Sequence, residues 1–419
     1  MNPFAPLSSR ISSVPAAKAF FLFLLVTFSF SPAASAQTVW AAAAAGSWST
    51  AASWSPAIVP GVGTNASIIV AGTFTVTYNS VMSAPSIASL TLGSGSSIPT
   101  LTITAAGFNV AGTCTLVDSA AEVVNVNSGG VMTNATLAMT SQDGAVNVNS
   151  GGVMTNGTTK VADNGSNDGS SELKINSGAI ANLGVVTVGR HTQSGSLGFN
   201  ISSGTIITKS IDIGTRNSYA NMVVSGGNTT NAGSLRLGTG TPTGGREMRY
   251  RQTGGSVGCA GTVDMSVSAS ATTWFSVVGS GATFSADGIR IFPNSASSLV
   301  ARLTNSGNIY LGASGFKVLN SGTYTVSLED LCVLGATADW TANVNMTTVS
   351  GTVTFKCADS AGTAHNITLT NPITGGAGLR SQAAARSHFS ARTLIPAARS
   401  SARNYFCRAM PVHCPRPPR

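Results

Sequence analysis

The one oxygen-rich stretch of this chain is Asp163-Asn164-Gly165-Ser166-Asn167-Asp168-Gly169-Ser170-Ser171-Glu172. Calcium takes carboxylate and carbonyl oxygens, so Asp163, Asp168 and Glu172 are a candidate metal set. A helix–loop–helix calcium loop would end on a bidentate Glu, and none stands at that place. The Gly-Gly-x-Gly-x-Asp calcium repeat is also absent. A solvated turn is the competing reading. His191 and His365 lie far apart with no cluster of Cys, His or Asp around either, which reads as two surface residues. Cys114, Cys259, Cys332 and Cys357 show no C-x-x-C spacing, so a zinc site is not expected. Cys332 and Cys357 are 25 residues apart. That is close to the repeat length described below, so the two would stack. Stacking allows either a disulfide in an oxidising compartment or two buried thiols acting as small hydrophobes.

Catalysis on polysaccharides would require paired carboxylates, or an acid with Arg or Lys, on one face. The acids here are scattered singly, and Glu329 and Asp330 are adjacent, so on a strand they point to opposite faces. Glu247, Arg249 and Arg251 alternate with Met248 and Tyr250, an outward charged row over an inward apolar one. No Gly-x-Ser-x-Gly elbow and no phosphate-binding glycine loop occurs. The residues therefore imply no cofactor and no catalytic centre.

The elements that would position these side chains come from a repeat. VVNVNSGGVMTN at Val123–Asn134 returns as AVNVNSGGVMTN at Ala145–Asn156, eleven of twelve positions identical at an offset of 22. Val124 and Val126 alternate with polar residues, a strand signal, and the Ser-Gly-Gly marks a corner. Weaker copies follow at Ile175–Gly178, Ile201–Gly204, Val224–Gly227, Thr253–Gly255, Gly279–Gly281 and Asn305–Gly307. A strand–glycine–strand unit every 22 to 28 residues predicts an all-β fold, a single-stranded parallel β-helix (β-solenoid) of roughly a dozen coils over residues 71–379. One coil cannot bury its apolar face alone, whereas stacked coils can. Asn125, Asn127 and Asn134 recur as Asn147, Asn149 and Asn156, which predicts stacked amide ladders.

Both ends differ from this pattern. Arg10 and Lys18 precede a twelve-residue apolar run, Ala19–Phe30, and Ala34-Ser35-Ala36 is a small-residue cleavage site. Residues 1–36 read as a secretory signal peptide, with a retained anchor as the alternative. The chain is then expected to be secreted, extracellular or at the cell surface, with no transmembrane helix after cleavage. Residues 37–70 hold Trp40, Trp48 and Trp54 with Pro56 and Pro60. Such a segment suits an N-terminal cap over the first coil, and an aromatic sugar-binding platform is the functional alternative.

Trp40, Gly46-Ser47-Trp48-Ser49, Ser53-Trp54, Pro60 and Thr64-Asn65-Ala66-Ser67-Ile68 resemble the N-terminal motif of secreted bacterial proteins with autotransporter-associated β-strand repeats. The resemblance implies a right-handed, passenger-like β-solenoid displayed at the cell surface. Similar chains end in a surface or sorting element.

The last forty residues, 380–419, hold eight Arg, no Lys and no acid, with five prolines and two cysteines. Setting these eight and the two basic residues of the leader aside leaves 13 basic against 14 acidic residues for 37–379. The basic balance of the whole chain thus resides in its ends and does not point to nucleic acid. Codons inferred for Arg380–Ser387, shifted by one base, read Thr-Lys-Ser-Gly-Gly-Gly-Thr-Leu, which resembles the family repeat. The tail is accordingly expected to be an out-of-frame, disordered segment on a truncated passenger-like fragment. The expected function is non-catalytic, structural or adhesive, with extracellular glycans or cell-surface components as partners. The rival is a polysaccharide-binding or polysaccharide-degrading enzyme on the same scaffold.

Overall fold

Alternation of apolar and polar residues sends successive side chains to opposite faces of a strand. In Val123–Val126 it turns Val124 and Val126 inward and leaves Val123 and Asn125 outside. The computed structural model describes residues 36–79, 86–117, 121–140, 143–162, 171–189, 198–215, 220–239, 247–265, 272–293, 299–330, 333–383 and 389–391. The chain divides into two units, Met1–Ala36 and Gln37–Arg419. The expected signal peptide falls almost wholly outside the described residues. No helix among the described residues is long and apolar enough to cross a membrane.

The second unit is a nearly all-β solenoid of about 12 turns. The duplicated repeat shows how it is built. Val123–Val126 pairs in parallel with Ala145–Val148, placing Val124 beside Val146, Asn125 beside Asn147 and Val126 beside Val148. The same column runs back to Leu101 and Ile103 and on to Leu173 and Ile175. These short strands form a 14-stranded parallel sheet. After the Ser-Gly-Gly corner, the longer strand Val131–Met139 pairs in register with Val153–Val161 in a second, 22-stranded sheet. Inward residues in this longer strand are Met132 and Asn134, then Leu137 and Met139, so the alternation slips by one at Ala135. The strand therefore bends there. In later coils it is interrupted at this place, as in Asn228–Asn231 followed by Leu235–Leu237.

Glycine is required where coils touch most closely. At the first corner Gly152 donates its N–H to Asn149 O at 2.8 Å, and a Cβ on Gly152 would lie 2.3 Å from Val126 O in the coil before. At the bend Gly184 has φ +59°, and a Cβ there would meet Gly157 O at 1.9 Å. No L side chain fits either position without moving backbone.

A single apolar cluster runs from Trp40 to Ile373 through the coils. It is continuous because each coil leaves an apolar layer that only the next can cover. Residues 37–70 are integrated into this stack. Gln37–Trp40 pairs in parallel with Asn65–Ile68, which pairs in turn with Ser89–Leu92. Gly46–Ser47 pairs with Gly72–Tyr78. Trp54–Ser55 covers the outer edge of Gln37–Trp40 in antiparallel fashion, the Trp54 backbone opposite Trp40. Reversed polarity and shortness make this a poor template for further parallel pairing.

At the other end, strand pairing continues for a few residues past Arg380. Gly378–Ala383 pairs in parallel with Thr352–Cys357, and Phe389–Ala391 with Ile367–Leu369. Pairing uses backbone N–H and C=O groups, so a strand edge captures a following segment even without apolar periodicity. Residues 384–388 and 392–419 lie outside the described residues.

Candidate functional site

The side chains singled out by type fall at scattered places. Asp163 and Asp168 lie outside the described residues. Glu172 begins the strand Glu172–Ile175, pointing outward, where its carboxylate accepts a 2.7 Å ion pair from Lys174 Nζ and a hydrogen bond from Asn200 Nδ2 at 3.4 Å. No group of three or more His, Cys, Asp and Glu able to hold a metal occurs among the described residues. His191 is outside them. His365 stands 3.9 Å from the Asp339 carboxylate. Asn366 donates to that carboxylate from its backbone and its side chain, both at 2.7 Å, and these bonds hold Asp339 below the usual carboxylate range.

The expected stacking of Cys332 on Cys357 requires a coil of 25 residues. The coil there is shorter: Val333 is in register with Thr354 and Gly335 with Lys356. Cys332 itself lies outside the described residues, and Cys357 is buried. Burial pushes the Cys114 thiol up to about 12 and the Cys259 thiol up to about 11, with Asn231 Nδ2 donating to Cys259 Sγ.

Trp40, Trp48 and Trp54 are no more than 2% exposed. Trp54 packs edge-on against both Trp40 and Trp48, at 5.0 and 4.8 Å between ring centres, and Trp48 continues the contact to Phe108 at 5.0 Å. Trp54 Nε1 donates to Trp48 O at 2.8 Å. Rings this enclosed cannot stack on a sugar, against the platform alternative.

The amide ladders form as the repeat predicts. Asn147 Nδ2 donates to Asn125 Oδ1 at 2.9 Å, and Asn149 Nδ2 to Asn127 Oδ1 at 2.7 Å. Asn176 extends the second ladder by donating to Asn149 Oδ1 at 2.7 Å. Inside the bend, Asn134 Nδ2 donates to Asn156 Oδ1, Asn156 Nδ2 to Thr159 Oγ1, and Thr159 Oγ1 to Leu183 O.

Sequence reasoning missed a second ladder, made of charge. Register places Asp212, Arg236, Asp264 and Arg290 in one column of alternating sign across four coils, and Lys317 beside Arg290 ends the alternation. Arg236 forks onto Asp212, Nε to Oδ1 at 2.5 Å and a terminal nitrogen to Oδ2 at 2.6 Å. Arg290 forks onto Asp264 with both bonds at 2.6 Å, and Thr262 Oγ1 adds a third bond to Asp264 at 2.8 Å. Parallel stacking sets equivalent residues side by side, so charges in one column are favourable only when their signs alternate. The next carboxylate, Asp287, accepts from Ser314 Oγ at 2.5 Å. Each of these acids is engaged by a cation or a donor.

The Glu247–Arg251 row stands as expected, with Met248 and Tyr250 buried beneath it. Glu247 accepts a hydrogen bond from Arg249, whose guanidinium carbon sits 5.3 Å from the centre of the Trp274 ring. Beneath them Tyr250 stacks on Phe275 at 5.1 Å. The signal for this pairing was the 25-residue offset of Trp274 from Arg249, hidden until the register was known. Comparison with protein-family models, with curated proteins and with solved structures finds no match to this chain. The chain is a parallel β-solenoid of about 12 turns with a buried tryptophan cluster in its first strands, amide ladders and a charge ladder.

Proposed function

We propose that this chain is a non-catalytic, secreted or surface-displayed scaffold with a structural or adhesive role, similar to an autotransporter passenger. The observation that carries the reading is the pairing of Asp212 with Arg236 and of Asp264 with Arg290 across neighbouring coils. A glycosidase needs two carboxylates set apart with room for sugar and water between them. Here the carboxylates hold neighbouring coils in register. Export is supported by the basic lead, the apolar run Ala19–Phe30 and Ala34-Ser35-Ala36. The passenger-like assignment is supported by the tryptophan motif around Trp40, Trp48 and Trp54.

The test has two arms. Expressed with its leader, the chain should appear outside the cytoplasm with Gln37 as its first residue; an intact Met1 terminus on cytoplasmic protein refutes export. On a glycan array the purified chain should bind without releasing reducing ends; steady release of sugar from a bound polysaccharide refutes the non-catalytic reading.

A further inference from the structure

The five tryptophans divide unequally. Trp40, Trp48, Trp54 and Trp340 are at most 3% exposed, whereas Trp274 is only partly buried. Trp274 faces outward from the strand Thr272–Val277, in register with Arg249 in the coil before and with Arg302 in the coil after. Arg249 lies over the Trp274 ring and is held by Glu247. Arg251, two residues along the same outward row, is exposed and has no ion-pair partner among the described residues. The strands beneath are clamped by Tyr250, Phe275 and Phe284, whose ring centres lie 4.8 to 5.6 Å apart. A rigid sheet thus presents one indole and a pair of guanidinium groups over two coils, with a third Arg backbone in register on the next.

We propose that this patch binds an acidic polysaccharide, a chain of uronate sugars, with Arg251 receiving a carboxylate and Trp274 meeting the sugar ring. A guanidinium fork matches a carboxylate with two parallel hydrogen bonds. An indole face offers a broad apolar surface, which suits the C–H face of a pyranose. Glu247 is committed to Arg249, so the cation left for an outside anion is Arg251. Nucleic acid fits less well. Its binding gains strength from neutralising many phosphates at once, and here a carboxylate stands within a row of few cations. The inference gives a ligand class to the adhesive reading above and rests on it.

The full chain is titrated with polygalacturonate, with dextran as neutral control and duplex DNA as a phosphate control, and tryptophan emission is followed. Trp274 is the one partly exposed tryptophan, so its emission should change on binding. The expected result is a saturable change with polygalacturonate and none with dextran or DNA. Arg251→Gln should weaken binding about tenfold and Arg251→Lys by less, because the fork is lost while charge remains. Trp274→Phe should remove the emission change. Unchanged affinity in Arg251→Gln, or equal binding of dextran or DNA, overturns the proposal. Glycan-array binding that persists in both variants refutes this site and leaves the adhesive reading standing. Absence of glycan binding by the unaltered chain refutes both. Arg251 is exposed, so its variants are expected to fold, and unchanged far-ultraviolet circular dichroism verifies it.

Discussion

Replacing Asn149 by Ala removes the middle rung of an amide ladder. The side chain donates to Asn127 Oδ1 and accepts from Asn176 Nδ2, both at 2.7 Å. A net value of about 1 kcal/mol per side-chain hydrogen bond gives a loss of about 2 kcal/mol, and stacked coils open locally, so the loss should be confined to neighbouring turns. Native-state hydrogen exchange reads this directly. The Asn149 N–H is bonded to Val126 O at 2.8 Å and the Asn176 N–H to Val148 O at 2.9 Å. Both should exchange about 30-fold faster in the variant, at 1.4 kcal/mol per factor of ten. The Thr253 N–H, four coils beyond Asn149 and bonded to Val224 O, should not change. A double-mutant cycle of Asn127→Ala with Asn149→Ala should return a coupling of about 1 kcal/mol for their shared bond. Exchange at Asn149 and Asn176 altered by less than about twofold, or equal acceleration at Thr253, would refute the ladder as a local stabiliser.

Gly152→Ala drives a methyl toward Val126 O and should cost about 2 kcal/mol in urea denaturation, whereas Gly61→Ala, with nothing within 4 Å, should change stability by under about 0.5 kcal/mol. Asp264→Asn breaks the fork from Arg290 at a carboxylate whose side chain is 6% exposed and should cost about 2 kcal/mol; Arg236→Ala, at a side chain 45% exposed, should cost less than about 1 kcal/mol by the same assay. Trp48→Ala leaves a cavity between Trp54 and Phe108 and should cost about 3 to 5 kcal/mol, seen as proteolysis beginning at the N-terminal coils. Thiols raised to about 12 and about 11 hold almost no thiolate at pH 8, so Cys114 and Cys259 should resist iodoacetamide in the native chain. Both should alkylate in urea, as peptide mass spectrometry would show; native labelling at pH 8 would contradict their burial.

The period, the inward residues and the amide rungs are legible in the amino-acid sequence alone. Val126 and Val148 sit side by side because identical dodecamers 22 residues apart, in a fold whose layers are equivalent, must superpose. The same equivalence made the Asn125–Asn147 and Asn127–Asn149 bonds legible. Tertiary structure alone decided the rest. Its coils are unequal, with offsets of 24 and 26 residues within the two Asp–Arg forks, so no fixed spacing marks the charge ladder. The tryptophan-rich start could have faced sugar or core, and the packing of Trp40, Trp48 and Trp54 on one another and on Phe108 puts its rings inside. Arg380–Ala383 reads as irregular, yet an available strand edge recruits it, because backbone hydrogen bonding is indifferent to side-chain pattern. Periodicity is written residue by residue along the chain; register between coils is written in loop lengths, and those acquire meaning only once the layers are stacked.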